Sequence, residues 1–187
     1  MPRITPLTPN DVPELSEMLT KAEEQAGYIS NAGLTLAWRP DIAKAVGNLV
    51  NTIYAPGDID PGLKRLIGEA TSKAAGCFYC AAHTAHSAHK AGVSKEKIEA
   101  VWNYQESPEF NDAERAAIHV AMRAGMTPNA VTDEDFEVLK IHYNEKEIVE
   151  IVAVIAMFGF LNRWNSTLAT ELESMPASFA NTLSSNA

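Results

Sequence analysis

Cysteine is nearly absent from this chain: two in 187 residues, three positions apart in Cys77-Phe78-Tyr79-Cys80. One close pair cannot staple a secreted miniprotein, so the disulfide-framework class is excluded. Basic charge is also short. Fifteen Lys and Arg face 24 Asp and Glu, a formal net charge of -9. That balance argues against a nucleic-acid binder and against a polybasic membrane module, both of which need positive charge facing phosphate. The longest apolar run, residues 151–161, has eleven residues, well short of the roughly 20 that span a bilayer. Met1-Pro2-Arg3-Ile4-Thr5-Pro6 lacks the apolar core of a secretory signal, and the reading is a cytoplasmic protein. In that compartment a thiol pair can cycle instead of staying oxidised.

What the chain does hold is 46% hydrophobic residues, enough for one compact domain with a sizeable core. Aromatics are only 7%, alternating β-branched runs are scarce and Ala is abundant, so an all-α fold is expected. Caps and breakers predict helices over residues 11–26, 40–54, 60–75, 77–91, 94–104, 111–125, 132–142 and 144–170. Asp60-Pro61 supplies an N-cap and a proline at the first helical position, and Thr132-Asp133-Glu134-Asp135 reads as a capping box. The expected organisation is an N-terminal arm and helix over residues 1–39, a helical core over 40–173 and a tail over 174–187. That tail, rich in Ser, Asn and Ala, has little to bury and is expected to be an arm or disordered. A weak internal repeat pairs Val93-Ser94-Lys95-Glu96 with Val131-Thr132-Asp133-Glu134. It is either a duplicated helical hairpin or the common likeness of capping boxes.

The reactive residues gather in one stretch, from Glu69 to His86. Cysteines at i and i+3 lie on one helix face, and Gly76 just before Cys77 marks a break that puts the pair at a helix start. The partial positive charge of that end favours thiolate. His83 follows Cys80 by three residues, near enough to take its proton, while His86 falls at the edge of the face and His89 turns away. Glu69 lies on the preceding helix, which must fold back after Gly76, so its carboxylate could orient an imidazole or act as a base through one water. Two readings compete. Cys77, Cys80, His83 and His86 have the residue types of a zinc site, but four ligands from one continuous helix fit a tetrahedron poorly. A redox thiol pair needs no metal and no cofactor, and it is the reading preferred here.

These residues resemble the carboxymuconolactone decarboxylase superfamily, and within it the alkylhydroperoxidase D-like, peroxidase-related branch. The match is carried by Lys64-Arg65-Leu66-Ile67 through Ala75-Gly76-Cys77-Phe78-Tyr79-Cys80-Ala81-Ala82-His83-Thr84. Glu114-Arg115-Ala116-Ala117-Ile118 and the segments Glu147-Ile148-Val149-Glu150 and Phe160-Leu161-Asn162-Arg163-Trp164-Asn165 support it. The chain departs from the family at three points, one of them between the cysteines, where Phe78 and Tyr79 replace a histidine sometimes found there. Arg65 stands where the family's acid lies, with Glu69 one helical turn later, and Thr84 stands where its histidine lies, with His83 one residue earlier.

The resemblance implies an all-helical fold assembled as trimers or hexamers, and a thiol peroxidase cycle. In that cycle Cys80 attacks a hydroperoxide and becomes a sulfenic acid. Cys77 resolves it to a disulfide, and an external dithiol restores the pair. His83 would be the base and Glu69 the far end of a proton relay. A decarboxylase-like lyase and a non-catalytic, redox- or metal-responsive oligomer stay open as alternatives.

Overall fold

The structure is a computed structural model and describes residues 1–183. Among these residues all regular structure is helical, as the composition requires. Its centre is α4 (Pro61–Ala74), in which Gly62 to Ser72 are buried apart from a half-buried Arg65. Asp60 caps it by accepting from Leu63 N at 2.9 Å, and Pro61 takes the first-turn position where no N–H is needed. α3 (Pro40–Tyr54), α5 (Phe78–Lys90), α7 (Asp112–Gly125) and α9 (Glu145–Leu168) are the other long members of the core. α4 packs directly on α5, α7 and α9.

Lys64 is the most deeply buried cation of α4. Its Nζ donates to the carbonyls of Ile53 and Ala55, each at 2.9 Å, and pairs with Glu150 of α9. Glu150 in turn accepts from Asp58 N at 3.0 Å. One ion pair with its remaining bonds satisfied thus ties the end of α3 to α4 and α9, the condition under which a buried charge is tolerated.

The caps foreseen at Asn111, Thr132 and Asn144 all close as capping boxes, with Glu114, Asp135 and Glu147. α8 (Asp133–His142) follows α7 as expected. The first half of the weak repeat is less regular than the second. α6 (Lys95–Glu99) has five residues and continues as a 3-10 turn, Ala100–Asn103.

Three segments differ from expectation. The helix expected over 11–26 begins as two 3-10 turns, Pro9–Asp11 and Pro13–Leu15, and only α1 (Ser16–Ala26) is α-helical. Pro13 forces Val12 out of the helical region, to φ -135°. A short helix, α2 (Asn31–Leu36), appears where none was read; at six residues it is too short to show a periodic stripe. Together with Val12, Leu15 and Leu19 it builds a small second core around Leu36, Ala37 and Ala43.

The third difference is the tail. Residues 174–180, expected to be an arm or disordered, form α10 (Ser174–Ala180), which lies on α5 with Phe179 stacked on His89 at 4.8 Å. Tertiary burial of Pro176 and Phe179 overrides weak local propensity here. Residues 184–187 of the expected tail lie outside the described residues.

Candidate active site

α4 ends at Ala74, and the chain reverses through Gly76, whose φ of +67° is a left-handed conformation that suits glycine. Cys77 N donates back to Ser72 O at 2.9 Å, closing the turn. Cys77 then becomes the N-cap of α5, with Cys80 one turn inside. Both cysteines are free thiols and both are buried. The helix start foreseen for them is the one observed.

The two sulfurs are hydrogen-bonded to each other, and their surroundings are unequal. The Cys77 thiol is held down at about 6: the bond from Cys80 is the main cause, burial opposes it, and the Ser166 hydroxyl and the N–H groups of Cys80 and Tyr79 add to it. The Cys80 thiol is pushed far up, by that same bond with Cys77, by burial and by the charge on Cys77. Asn165 of α9 donates its Nδ2–H to Cys80 Sγ at 3.3 Å and works in the opposite direction.

His83 faces a carboxylate that the sequence did not reveal. Its Nε2 lies 2.5 Å from Glu173 Oε2, its Nδ1 lies 3.0 Å from the Tyr28 hydroxyl, and its ring stacks on Tyr79 at 4.3 Å. Tyr79 donates its hydroxyl to Glu173 Oε1 at 2.8 Å, and Asn31 N donates to the same oxygen at 2.5 Å. Burial pushes the Glu173 carboxyl up, but the bond and charge of His83 and the Asn31 N–H hold it below the usual carboxylate range. Burial and the charge of Glu173 push both phenols well up, so Tyr28 and Tyr79 are proton donors. With Nε2–H donated to Glu173, Nδ1 accepts from Tyr28, and one hydrogen-bonded chain runs Tyr28, His83, Glu173, Tyr79.

Glu173 reaches this place because α9 stops at Ala169, in the left-handed region at φ +50°, and the chain turns back toward α5. No sequence motif marks it, since the contact spans 90 residues. Tyr28, on the other side of His83, was missed for the same reason. Asn165 lies in a segment that carries the family resemblance, which is a signal that it has a role without saying which.

Glu69 sits apart from the histidine. It is 0% exposed on α4, its carboxylate oxygens have no hydrogen-bond partner among the described residues, and Lys73 Nζ is 3.4 Å away. Burial lifts its carboxyl to about 7, against the lowering effect of Lys73. The structure therefore brings Cys77 and Cys80 together and places His83 with Glu173 instead of Glu69. Arg65 stacks its guanidinium 3.4 Å from the centroid of the Tyr54 ring, whose phenol burial pushes up to about 12. Among the described residues no group of three or more His, Cys, Asp or Glu is placed to hold a metal ion.

A second histidine–carboxylate cluster lies elsewhere. Tyr104 bonds His119 Nδ1 at 2.5 Å, His119 Nε2 bonds Asp135 at 2.9 Å, and Arg123 donates to Asp135 at 2.6 Å. These polar groups are matched to one another, so the cluster serves to clamp α7 to α8.

Comparison with known proteins agrees with this geometry. The model of the carboxymuconolactone decarboxylase family matches residues 40–130. The debrominase Bmp8, solved as a cysteine-to-alanine variant in complex with 2,3,4-tribromopyrrole, is 36% identical over 96% of both chains, with a TM-score of 0.91. The alkylhydroperoxidase D core of a peroxidase-related protein from Ralstonia eutropha JMP134 has a TM-score of 0.84 over 94% of both chains at 23% identity, a likeness of fold. The protein YnjA of Escherichia coli (strain K12) is 28% identical over 110 residues, 59% of this chain and 60% of that protein's length. Matched by its family model and by a full-length relative, with the thiol pair and its helix in place, this chain belongs to the carboxymuconolactone decarboxylase family and has the alkylhydroperoxidase D-like helical fold.

Proposed function

We propose that the protein is a thiol-dependent oxidoreductase that reduces a hydroperoxide through a dithiol/disulfide cycle of Cys77 and Cys80. The observation that carries this reading is the pair of free, buried thiols one helical turn apart at the start of α5, with the Asn165 amide donating to Cys80 Sγ at 3.3 Å. A thiolate attacks the terminal peroxide oxygen, the O–O bond breaks, and the leaving alkoxide takes a proton. The sulfenic acid is then attacked by the other sulfur, water leaves, and the disulfide forms. An external dithiol returns the two electrons in a reducing compartment, here read as the cytoplasm. The Tyr28–His83–Glu173 chain begins one turn beyond Cys80 and supplies the proton for the leaving oxygen. Glu69, poised at about 7, is a second proton acceptor on α4.

The match to Bmp8 favours a second substrate for the same cycle, a brominated heteroaromatic ring. There the thiolate takes the bromine, the carbon keeps the C–Br electron pair and gains a proton, and the second thiol expels bromide to form the disulfide. We also read the chain as self-associating. Residues 151–161 of α9 are apolar all round, and Val149, Val152 and Phe160 are exposed on this helix.

The test is reduced protein with dithiothreitol and either hydrogen peroxide, cumene hydroperoxide or 2,3,4-tribromopyrrole, following peroxide loss and bromide release. The parent should turn over at least one of these, and Cys77→Ser and Cys80→Ser should each lose multiple turnover. Rates equal to those of the double serine variant on every substrate would end the thiol reading. Lactone decarboxylation that survives the double substitution would replace it with the lyase alternative.

A further inference from the structure

We propose that the groove between the N-terminal arm and the C-terminal end of α9 is a binding site for a small aromatic carboxylate, held by Arg3 and Arg163 against the indoles of Trp38 and Trp164. None of the residues lining this groove belongs to the thiol site, and the proposal does not depend on the cycle described above.

The groove has a volume of about 790 Å³, the size of a small-molecule site. Its walls are fixed by hydrogen bonds between distant parts of the chain. Arg3 N donates to Leu168 O at 2.8 Å and Arg3 Nη1 to Thr167 O at 2.6 Å. Trp38 Nε1 donates to Thr5 O at 2.9 Å, which ties the arm to the residues after α2. The walls are thus set before a ligand arrives, and binding has little left to order.

Two features give the class of ligand. The first is charge. No lining residue is acidic, and neither Arg3 nor Arg163 has a carboxylate partner among the described residues. Arg39, Arg115 and Arg123, by contrast, each have an aspartate. Capping the last carbonyls of α9 accounts for the backbone N and Nη1 of Arg3, and Arg163 gives Nη1 to Gly159 O at 3.0 Å. The rest of each guanidinium has no acceptor among the described residues, and a carboxylate matches that planar fork.

The second feature is aromatic surface. Trp38 is 58% exposed although its indole N–H is pinned, so a fixed ring is left largely in water. Trp164 is stacked with Phe160, their planes 21° apart, and its buried Nε1–H has no acceptor among the described residues. With Ile4 and Leu168 these indoles make the lining mainly apolar. A planar ring gains by stacking on indole, whereas a long aliphatic acid forgoes that stacking and loses rotamer freedom on binding.

Isothermal titration of the full chain with 2-naphthoate should show one site per chain. 2-Naphthamide, which keeps the shape without the charge, should bind at least about tenfold more weakly, as should decanoate, which keeps the charge without the ring. Arg163→Gln and Trp38→Ala, both at exposed positions, should each weaken 2-naphthoate by roughly tenfold with the thermal unfolding midpoint unmoved. Both should keep whatever thiol-dependent turnover the parent shows within about twofold. The double variant Cys77→Ser with Cys80→Ser should bind 2-naphthoate as the parent does, so failure of the thiol cycle would leave this site standing. Absence of binding by the parent at millimolar 2-naphthoate would overturn the proposal. So would equal affinity for the amide or for decanoate, or full affinity in both Arg163→Gln and Trp38→Ala. Loss of binding in the double serine variant would move the ligand to the thiols and overturn it too. A parent that takes no 2-naphthoate, and whose mass in light scattering falls in Trp38→Ala, would give the groove to a second copy of the chain instead.

Discussion

At the scale of single residues, Glu69 and Lys64 show two outcomes for a charge buried in the same helix. Lys64 has two carbonyls and Glu150, so it is fully matched. Glu69 has Lys73 at 3.4 Å and no hydrogen-bond partner among the described residues. Its carboxyl rises from the ordinary 4.5 to about 7. Between those two values the folded chain holds a proton that the unfolded chain has lost, so stability falls as pH rises through that window. At 1.36 kcal/mol per pH unit, the full penalty above pH 7 is about 3 kcal/mol. Glu69→Gln removes the titration. In urea unfolding, the variant should gain on the parent by about that amount between pH 4.5 and pH 8. Parallel losses at both pH values would mean that Glu69 is not a buried acid of raised pKa. His83 teaches a different point. Its spacing from Cys80 was legible, but its partner was not, because Glu173 is brought to it by a turn at Ala169 that no local pattern announces.

At the scale of elements, the close approach of α4 and α9 depends on Gly68. A Cβ at that position would overlap the ring of Phe158, a buried side chain in a packed core. Gly68→Ala should therefore lower stability by about 1–3 kcal/mol despite its better helix propensity, since overpacking costs more than propensity returns. Gly159→Ala on α9 has Arg163 Nη1 at 3.7 Å as its nearest neighbour and should be neutral or slightly stabilising. Chemical unfolding midpoints check both, and equal effects would mean that α4 and α9 do not need this contact. The same elements show what local sequence can and cannot specify. The capping residues of α4, α7, α8 and α9 were read correctly because a cap is a contact within three or four residues. α10 was misread because its stability comes from packing Phe179 on α5, about 90 residues earlier.

At the scale of the whole molecule, α9 is the element with most surface still to explain. Its middle, residues 151–161, is an unbroken apolar run, and Val149, 69% exposed, Val152 and Phe160 present apolar side chains at its surface. A helix of that kind is ordinarily covered on all faces, which is the support for self-association. Light scattering on the purified protein should give a mass that is a multiple of 20.3 kDa, and Val149→Glu with Val152→Glu should reduce it to one chain. A parent that is already monomeric at micromolar concentration would remove this reading. The sequence by itself determined the helical class, the caps, and a thiol pair at a helix start, because each depends on contacts between near neighbours in the chain. Only the tertiary structure decided what surrounds the two cysteines first noticed for their rarity. Glu173 on His83, Asn165 on Cys80, Ser166 on Cys77 and the isolation of Glu69 are contacts across long sequence separations or their absence. They are set by how α4, α5 and α9 pack, and that packing sums many weak apolar contacts that no local pattern records.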